Sequence, residues 1–483
     1  MITDEFPDLT QVQGNILRGY RKRLVRHLVL TVTDAAAART WLGDAASGDP
    51  TRGPQITTAE EWSTPPAWCV NIGISHAGLV ALEVPTRSLE SFPPEFIEGM
   101  AARAVKLGDT GPSAPSKWAP EWSDHAAVHL MVSVHADSPT DLDEISLSVR
   151  SAGGGRAFTT LAELDGAGFD HGVVHFGYRD GISQPHFRDI RDPADRPDHQ
   201  PPAEIGAALL GYKTPVEDLR WEVPHPEDLG MNGSFNAFRV LEQRVAEFEE
   251  FLTAAADQIL AHPLGDELFP PGTETTWTPV VSRHAALREL VAAKLLGRWR
   301  NGVPLELSPL TPTPDPPIGD LADPPNHRIN DYGYASDPDG ERCPIGSHMR
   351  RCNPRDAQIV QRKSNHTRRI IRRGIPYGPP FDPTRPDEIE RGLLGSFICA
   401  SLVVQFEAIQ YDWMNLGLQH PSITGTNDPV VGNNDAAYSS FDMPVGSSSI
   451  SLRGFPRFVH TRGGGYFFLP SIKALQLIAT GDV

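Results

Sequence analysis

Apolar positions along the first 180 residues recur at the spacings of strands and helices. The pattern predicts strands over residues 27–32, 70–74, 128–134 and 172–176, and helices over residues 35–42, 93–107 and 139–151. Ser138 stands where the N-cap of the last helix is expected. The order is βαβ twice with one inserted helix, which is typical of a ferredoxin-like α+β domain with an antiparallel sheet.

The remaining residues predict a second cycle of the same kind. Strands are expected over residues 234–241, 398–404 and 465–469, and helices over residues 286–300 and 405–415 and after the last strand. From Val245 to Ile259, apolar positions lie three or four residues apart, on one face of an amphipathic helix. Residues 304–326 are rich in Pro and Asp and predict a surface loop. Two similar α+β halves are therefore expected, with a boundary between residues 190 and 230.

Composition limits the class of partner. The chain of 483 residues has a net charge of −18, which disfavours nucleic acid and anionic membranes and favours small molecules. The four cysteines form no CxxC pair and predict neither a disulfide framework nor a zinc ribbon. The start of the chain is acidic where a secretory signal is basic, and no apolar stretch is long enough to span a membrane. We therefore expect a cytoplasmic protein.

Basic side chains are concentrated in residues 341–373. This segment holds ten Lys and Arg residues against two acids. Binding of nucleic acid would call for aromatic residues that stack on bases, and the segment has none. Two explanations stay open, namely guanidinium groups that pair with carboxylates of a bound cofactor, and a solvated basic face. His348 lies in the same segment, although a histidine alone is more often an ordinary polar residue than a metal ligand.

Two further groups of residues offer candidate chemistry. Gly177 and Gly181 flank Asp180 where the strand pattern ends, so a flat ligand could lie against the main chain with Asp180 beside it. An ordinary turn is the alternative. His171 and His175 have the spacing HxxxH, but four residues along a strand span ~13 Å, and we expect no zinc site there.

Several motifs resemble those of the dye-decolorising peroxidases and follow one another in the order of that family. Gly177-Tyr-Arg-Asp180-Gly181 resembles the family's GxxDG motif, and His348-Met-Arg-Arg-Cys-Asn-Pro-Arg355 resembles its proximal haem segment. Arg372-Arg-Gly-Ile-Pro-Tyr-Gly378 is similar to its distal arginine segment. Shorter matches lie at residues 13–17, 297–299, 405–413, 428–432 and 465–471. Together the motifs cover nearly the whole chain.

The resemblance implies both a fold and a site. The fold is α+β, with two ferredoxin-like halves at residues 1–200 and 201–483, antiparallel sheets packed together and peripheral helices. The site holds haem b (iron protoporphyrin IX), mainly in the second half, with His348 as axial iron ligand, Asp180 as distal acid/base and Arg372 as distal cation. The further residues expected to bind the haem are Gly181, Ile182, Ser183, Gln184 and Arg355.

General chemistry agrees with these roles. Cleavage of peroxide requires a proton to move from its inner to its outer oxygen, which a carboxylate such as Asp180 can do. A permanently charged Arg372 can stabilise negative charge on the departing oxygen. An axial histidine also needs an acceptor for its other N–H. Ser401 stands near the place where relatives carry an acid, so the sequence leaves this acceptor open, and His366 is the alternative axial ligand.

The expected activity is that of a haem peroxidase, which reduces hydrogen peroxide and oxidises bulky aromatic donors one electron at a time. Two alternatives on the same fold are a haem carrier or sensor, and an enzyme that removes iron from porphyrin. The presence of both Asp180 and Arg372 favours the peroxidase, because haem carriage needs neither. The sequence predicts neither the natural reductant nor the oligomeric state.

Overall fold

Ten antiparallel strands form the framework of the described part of the chain. The computed structural model describes residues 6–187, 190, 202–214, 216, 219–315, 317–318, 328–359 and 367–483. Its strands are β1 (Leu24–Val32), β2 (Trp68–Ile74), β3 (Leu130–Ala136), β4 (Phe158–Ala167), β5 (Ser234–Gln243), β6 (Ile371–Tyr377), β7 (Gly392–Cys399), β8 (Ser440–Val445), β9 (Ser448–Arg453) and β10 (Val459–Leu469). Strands β8 and β9 form a separate hairpin, and the other eight form one sheet.

The eight-stranded sheet consists of two units with the same topology. Its order is β4-β1-β3-β2-β10-β5-β7-β6. The first unit consists of β1 to β4 and the second of β5, β6, β7 and β10. In each unit the fourth strand lies beside the first, and the third and second strands follow. This is the ferredoxin-like arrangement, and the predicted fold class is confirmed. The pair Ile74 and Phe468 joins the two units edge to edge. At the outer edges of the sheet, β4 lies against β6. Gly166 on β4 approaches Ile375 on β6 so closely that a Cβ at position 166 would not fit. The sheet therefore closes into a barrel.

Five α-helices of eight or more residues occur in the described part of the chain. They are α1 (Ala35–Ala45), α2 (Pro139–Arg150), α3 (Val245–Ala261), α4 (Arg283–Leu296) and α5 (Ile472–Thr480). The shorter α-helices are Gly14–Leu17, His76–Ala81, Thr86–Leu89, Pro94–Glu98, Ala104–Leu107, Ala152–Gly155, Glu227–Gly230, Gly265–Leu268 and His348–Cys352. Two segments, Leu402–Glu407 and Ile409–Asn415, are π-helical. No helix within these described ranges has the length and apolar character that a membrane span requires.

Helix α3 shows how the apolar pattern builds the second half. Its apolar positions are buried, as the spacing predicts, and the helix packs against α4. Helix α4 in turn supports the short helix His348–Cys352, because the Ser347 hydroxyl donates to the carbonyl of Lys294 over 2.5 Å. Helix α4 ends at Leu296 and is capped by Gly297, whose φ of 103° lies in the left-handed region. The core of this half thereby fixes the start of the helix that carries His348.

Two predicted elements of the first half are wrong. Residues 172–176 form a turn rather than a strand, because Gly172 and Gly177 have φ angles of 66° and 82°. The N–H of Val174 donates to the carbonyl of Tyr178 over 2.9 Å and closes this turn. The fourth strand is β4, earlier in the chain. The helix predicted over residues 93–107 is broken at Gly99, where φ is 79°, and becomes two short helices.

The end of the strand predicted over residues 398–404 is also wrong. Strand β7 ends at Cys399, and the Ser401 hydroxyl accepts from the N–H of Val404 over 3.4 Å at the start of a π-helical segment. The two π-helical segments replace the α-helix predicted over residues 405–415. The part of residues 304–326 that the structure describes contains neither helix nor strand. The predicted division at residues 200 and 201 falls outside the described residues and stays a prediction.

His27 contributes to the pH dependence of stability. It lies on β1, is 4% exposed and contacts the ring of Phe238 on β5, with 4.9 Å between ring centroids. Burial lowers the pKa of His27 from 6.5 to about 4. Because the unfolded chain then binds a proton that the folded chain excludes, the free energy of unfolding should fall as the pH drops from 6.5 towards 4, by up to about 1.4 kcal/mol per pH unit.

Urea unfolding between pH 7 and 4.5 measures this effect. In His27→Asn, which cannot titrate, the free energy of unfolding should depend less steeply on pH than in the wild-type protein. His171→Asn, at an exposed position, is the control. Parallel pH profiles for His27→Asn and the wild-type protein would contradict the prediction.

Candidate active site

The predicted site residues converge on one cavity, which is lined by residues of both halves of the chain. The cavity has a volume of about 340 Å³ and lies between the sheet face of β5, β6, β7 and β10, the turn before residue 185 and the helix His348–Cys352. Seven of the eight predicted residues line it: Asp180, Ile182, Ser183, Gln184, His348, Arg355 and Arg372. Gly181 does not line the cavity. Its φ of 73° lies in the left-handed region, which glycine adopts readily, and allows the chain to turn beside Asp180.

His348 is held by a buried carboxylate. Its Nδ1 lies 3.0 Å from Oδ2 of Asp428, which is completely buried. The other Asp428 oxygen accepts from the N–H groups of Val430 and Val431, each over 2.9 Å. Because a carboxylate can only accept, His348 Nδ1 is the donor and Nε2 is the nitrogen left for a metal ion.

The charges around His348 favour this pairing. Burial lowers the pKa of His348, but Cys352 and the Asp428 carboxylate raise it more, so that the pKa lies well above its usual value. Burial raises the pKa of Asp428, while His348 and Arg351 hold it below the ordinary value. The ligand atoms of His348, Cys352 and Asp428 lie within 4.8 Å of one another. This cluster is a candidate metal-binding group among the described residues.

Asp180 and Arg372 are linked through the segment that follows Asp180. The N–H of Asp180 donates to the carbonyl of Gly172 over 2.8 Å, and its side chain is exposed at the cavity. Arg372 Nη2 donates to the carbonyl of Ser183 over 2.9 Å. Gln184 exchanges two hydrogen bonds with the backbone of Arg372, of 3.2 and 2.8 Å. Ser183 and Gln184 therefore fix the turn of Asp180 against strand β6.

Arg355 is buried and firmly positioned. It is 5% exposed, and its Nη1 donates to the carbonyls of Asn330 and Tyr332 over 2.8 and 2.6 Å. Its guanidinium carbon lies 3.7 Å from the centroid of the Tyr332 ring. The Asn330 amide donates to the carbonyl of Ile182 over 2.6 Å, which connects Arg355 to the distal turn. His366, the alternative axial ligand, lies outside the described residues.

Comparison with known proteins decides the family. Residues 11–168 match the family described as "DyP dimeric alpha+beta barrel domain". The dye-decolorizing peroxidase of Mycena epipterygia is 30% identical over 517 residues, which cover 99% of this chain and 88% of that protein. The chain belongs to the dye-decolorising peroxidase family. The multifunctional dye peroxidase of an Amycolatopsis strain is 28% identical over 97% of this chain and 95% of its own length.

Solved dye-decolorising peroxidases share the whole fold. The structure of one in complex with 2,6-dimethoxyphenol is 28% identical, has a TM-score of 0.79 and covers 98% of this chain and 100% of its own. The enzyme of Auricularia auricula-judae is 25% identical with a TM-score of 0.80 over the same shares. Another solved relative carries an engineered haem pocket. Dye-decolorising peroxidases are haem enzymes, and the chain described here is a peroxidase of this family.

The residues of the cavity fit a haem group. An imidazole whose second nitrogen is bound to a buried carboxylate is a ligand suited to haem iron. Apolar side chains suited to the faces of a porphyrin line the cavity, among them Leu393, Phe406 and Val430. Guanidinium groups suited to carboxylates stand beside them. Four of the ten basic residues of segment 341–373 line the cavity, namely Arg355, Arg368, Arg369 and Arg372. Arg342 and Arg350 instead pair with Glu306 and Asp337, and Arg362 and Lys363 lie outside the described residues.

The carboxylate partner of His348 is the functional residue that the sequence did not identify. In the sequence, Asp428 belongs only to the short family match at residues 428–432. Ser401, near the place where relatives carry an acid, lies at the start of a π-helical segment. The signal available in the sequence was an acid directly before the apolar run Pro429-Val-Val431, a pattern that favours a buried carboxylate with a partner.

Proposed function

We propose that this protein binds haem b in the cavity and uses it to reduce hydrogen peroxide while oxidising bulky aromatic donors in one-electron steps. The observation that carries the proposal is the convergence of His348, Asp180 and Arg372 on one cavity, with His348 held by Asp428. The complex of a solved relative with 2,6-dimethoxyphenol supports a phenolic donor.

His348 is proposed to bind the iron through Nε2, while Nδ1 donates to Asp428. Arg355 is proposed to pair with a carboxylate of the haem, and Ile182, Ser183 and Gln184 to contact it on the distal side. Gly181 is proposed to act through the turn that it allows. When bound, haem supplies the redox step, because its iron accepts the oxidising equivalents of peroxide.

Asp180 and Arg372 are proposed to divide the chemistry of peroxide cleavage between them. The Asp180 carboxylate takes the proton from the inner oxygen of peroxide and returns it to the outer oxygen, which then leaves as water. The Arg372 guanidinium stabilises negative charge on that outer oxygen as the bond breaks. Ser183 and Gln184 hold the Asp180 and Arg372 side chains in fixed relative positions, because both residues bind Arg372 and follow Asp180 in the same segment.

The contribution of Arg372 can be measured in steady-state assays with peroxide and 2,6-dimethoxyphenol. Arg372→Leu should lower kcat/KM for peroxide by about 10²-fold, as the loss of one electrostatic donor does. Arg372→Lys keeps the charge without the forked donors and should lose less. Equal kcat/KM values for Arg372→Leu and the wild-type enzyme, both fully loaded with haem, would refute the role of Arg372.

The buried carboxylate should control how tightly haem is held. Asp428→Asn keeps the shape of the side chain but removes the charge that orients His348, and should lower haem affinity or activity about 10- to 100-fold. Titration of the apoprotein with haem, followed by absorbance, gives the affinity. Asp442→Asn, which changes an exposed carboxylate on β8, is the matched control. Identical affinity and activity in Asp428→Asn would contradict the proposal.

A further inference from the structure

Tyr466 and Glu407 form a buried pair beside the cavity. Tyr466 lies on β10 and is 3% exposed, and Glu407 belongs to the first π-helical segment and is completely buried. The Tyr466 hydroxyl donates to Oε1 of Glu407 over 3.0 Å. Neither side chain lines the cavity. The pair is thus a phenol hydrogen-bonded to a carboxylate that peroxide binding and cleavage leave unused.

Two cations keep the carboxylate of this pair ionised. Arg103 donates through Nε to Oε1 of Glu407 and through Nη2, over 2.7 Å, to Oε2. Lys106 Nζ lies 3.0 Å from Oε2. Burial raises the pKa of Glu407, but Arg103 and Lys106 bring it below the ordinary value. Burial and the Glu407 charge raise the pKa of the Tyr466 phenol well above its ordinary value. The phenol therefore stays protonated at neutral pH, next to an ionised acceptor.

One aromatic ring separates this pair from the cavity. Phe406 lines the cavity, and its ring centroid lies 6.3 Å from that of Tyr466 in an edge-on arrangement. Phe397 also lines the cavity, and its ring centroid lies 5.5 Å from that of Phe406. Among these three rings, only that of Tyr466 carries a group that can release a proton when it loses an electron. The hydroxyl that releases it points at a base.

We propose that Tyr466 is a redox-active residue that gives one electron to the peroxide-oxidised haem centre while its phenolic proton passes to Glu407. The O–H bond of Tyr466 breaks, a new O–H bond forms at Oε1 of Glu407, and the oxidised centre is reduced by one electron. An aromatic donor later returns the electron, and the proton goes back from Glu407 to the phenol oxygen. The inference rests on the proposed peroxidase function, which supplies the oxidant.

Electron paramagnetic resonance of the haem-loaded protein tests the assignment. Samples are frozen after mixing with one equivalent of hydrogen peroxide and no aromatic donor. The wild-type protein should show a tyrosyl signal that Tyr466→Phe loses. Tyr377→Phe is the matched control, because the Tyr377 hydroxyl also donates to a carboxylate, Oε1 of Glu390 at 2.9 Å, but among the described residues no aromatic ring links Tyr377 to the cavity as Phe406 links Tyr466. Its signal should equal that of the wild-type protein.

The role of Glu407 as proton acceptor is tested in a variant that keeps Tyr466. Glu407→Gln keeps the size of the side chain and removes its basicity, so the tyrosyl signal should form about 10²-fold more slowly. Glu390→Gln is the control for this change and should leave the rate of signal formation unaltered. The Glu407→Gln experiment also keeps the inference testable should Tyr466→Phe fail to bind haem.

The outcomes separate this inference from the proposed function. An undiminished tyrosyl signal in Tyr466→Phe, or no tyrosyl signal in a wild-type protein whose haem absorbance changes with peroxide, would overturn the role of Tyr466 alone. A wild-type haem complex that does not respond to peroxide would contradict the peroxidase function itself. Loss of the signal in Tyr466→Phe with a normal peroxide response would support both.

Discussion

In the Asp180→Asn variant, the rate constant for the reaction of the haem-loaded protein with hydrogen peroxide should fall by about 10²- to 10⁴-fold, the usual contribution of a positioned acid/base. Asparagine keeps the shape of the side chain and cannot accept the proton. Haem binding should be retained, because Ser183, Gln184 and Arg372 hold the distal turn through bonds that do not involve the Asp180 carboxylate.

Rapid mixing with peroxide across a range of pH gives this rate constant directly. Asp170→Asn is the matched control, since Asp170 lies in the same loop with a side chain that is 86% exposed. The competing explanation is that Arg372 and an ordered water suffice, and that Asp180 only shapes the turn. An unaltered rate constant in Asp180→Asn at every pH would favour that explanation and would contradict a role of Asp180 in proton transfer.

The His348→Ala variant should lose haem, and with it the Soret band and all peroxidase activity. The side chain provides the one imidazole of the described residues that lines the cavity, and Asp428 would then be left as a buried carboxylate without its partner. An unpaired buried charge is costly, so the free energy of unfolding should also decrease.

Added imidazole separates loss of the ligand from loss of the fold. A folded His348→Ala protein should recover haem binding when free imidazole occupies the space left by the side chain. His366→Ala should keep a normal spectrum, which distinguishes the two candidate axial ligands. Retention of a histidine-ligated spectrum in His348→Ala, or loss of that spectrum in His366→Ala, would reverse the assignment.

Local patterns in the sequence predicted the fold where strands and helices obey a simple period. Strands β1, β2, β3 and β5 and helices α1 to α5 occur where alternation or helical spacing placed them, with ends shifted by a few residues. The apolar pattern does not predict strand β6, because Arg372, which lines the cavity, and Arg373, which donates to the carbonyl of Asn15, interrupt it. The closure of the eight-stranded sheet into a barrel depends on contacts such as that of Gly166 with Ile375, which are more than 200 residues apart in the chain and leave no local signal.

The candidate site was predictable only as far as its motifs extend. Asp180, His348 and Arg372 stand in motifs that resemble those of the family, and their convergence on one cavity agrees with that interpretation. Asp428 is 80 residues from His348, so that its pairing depends on the tertiary fold. The pairing of Glu407 with Tyr466 could not be predicted for the same reason, because the two residues are 59 positions apart in the chain. In addition, its carboxylate belongs to a π-helical segment, whose spacing differs from that of the α-helix expected there.

The most direct test of the proposed function is the stoichiometry of the reaction catalysed by the haem-loaded wild-type protein. Hydrogen peroxide and 2,6-dimethoxyphenol are supplied, and the consumption of each is measured together with the absorption spectrum of the haem. A peroxidase oxidises two molecules of a one-electron donor for each molecule of peroxide and keeps its haem through many turnovers. Stable haem binding without consumption of peroxide, or release of iron-free porphyrin, would contradict the proposed function.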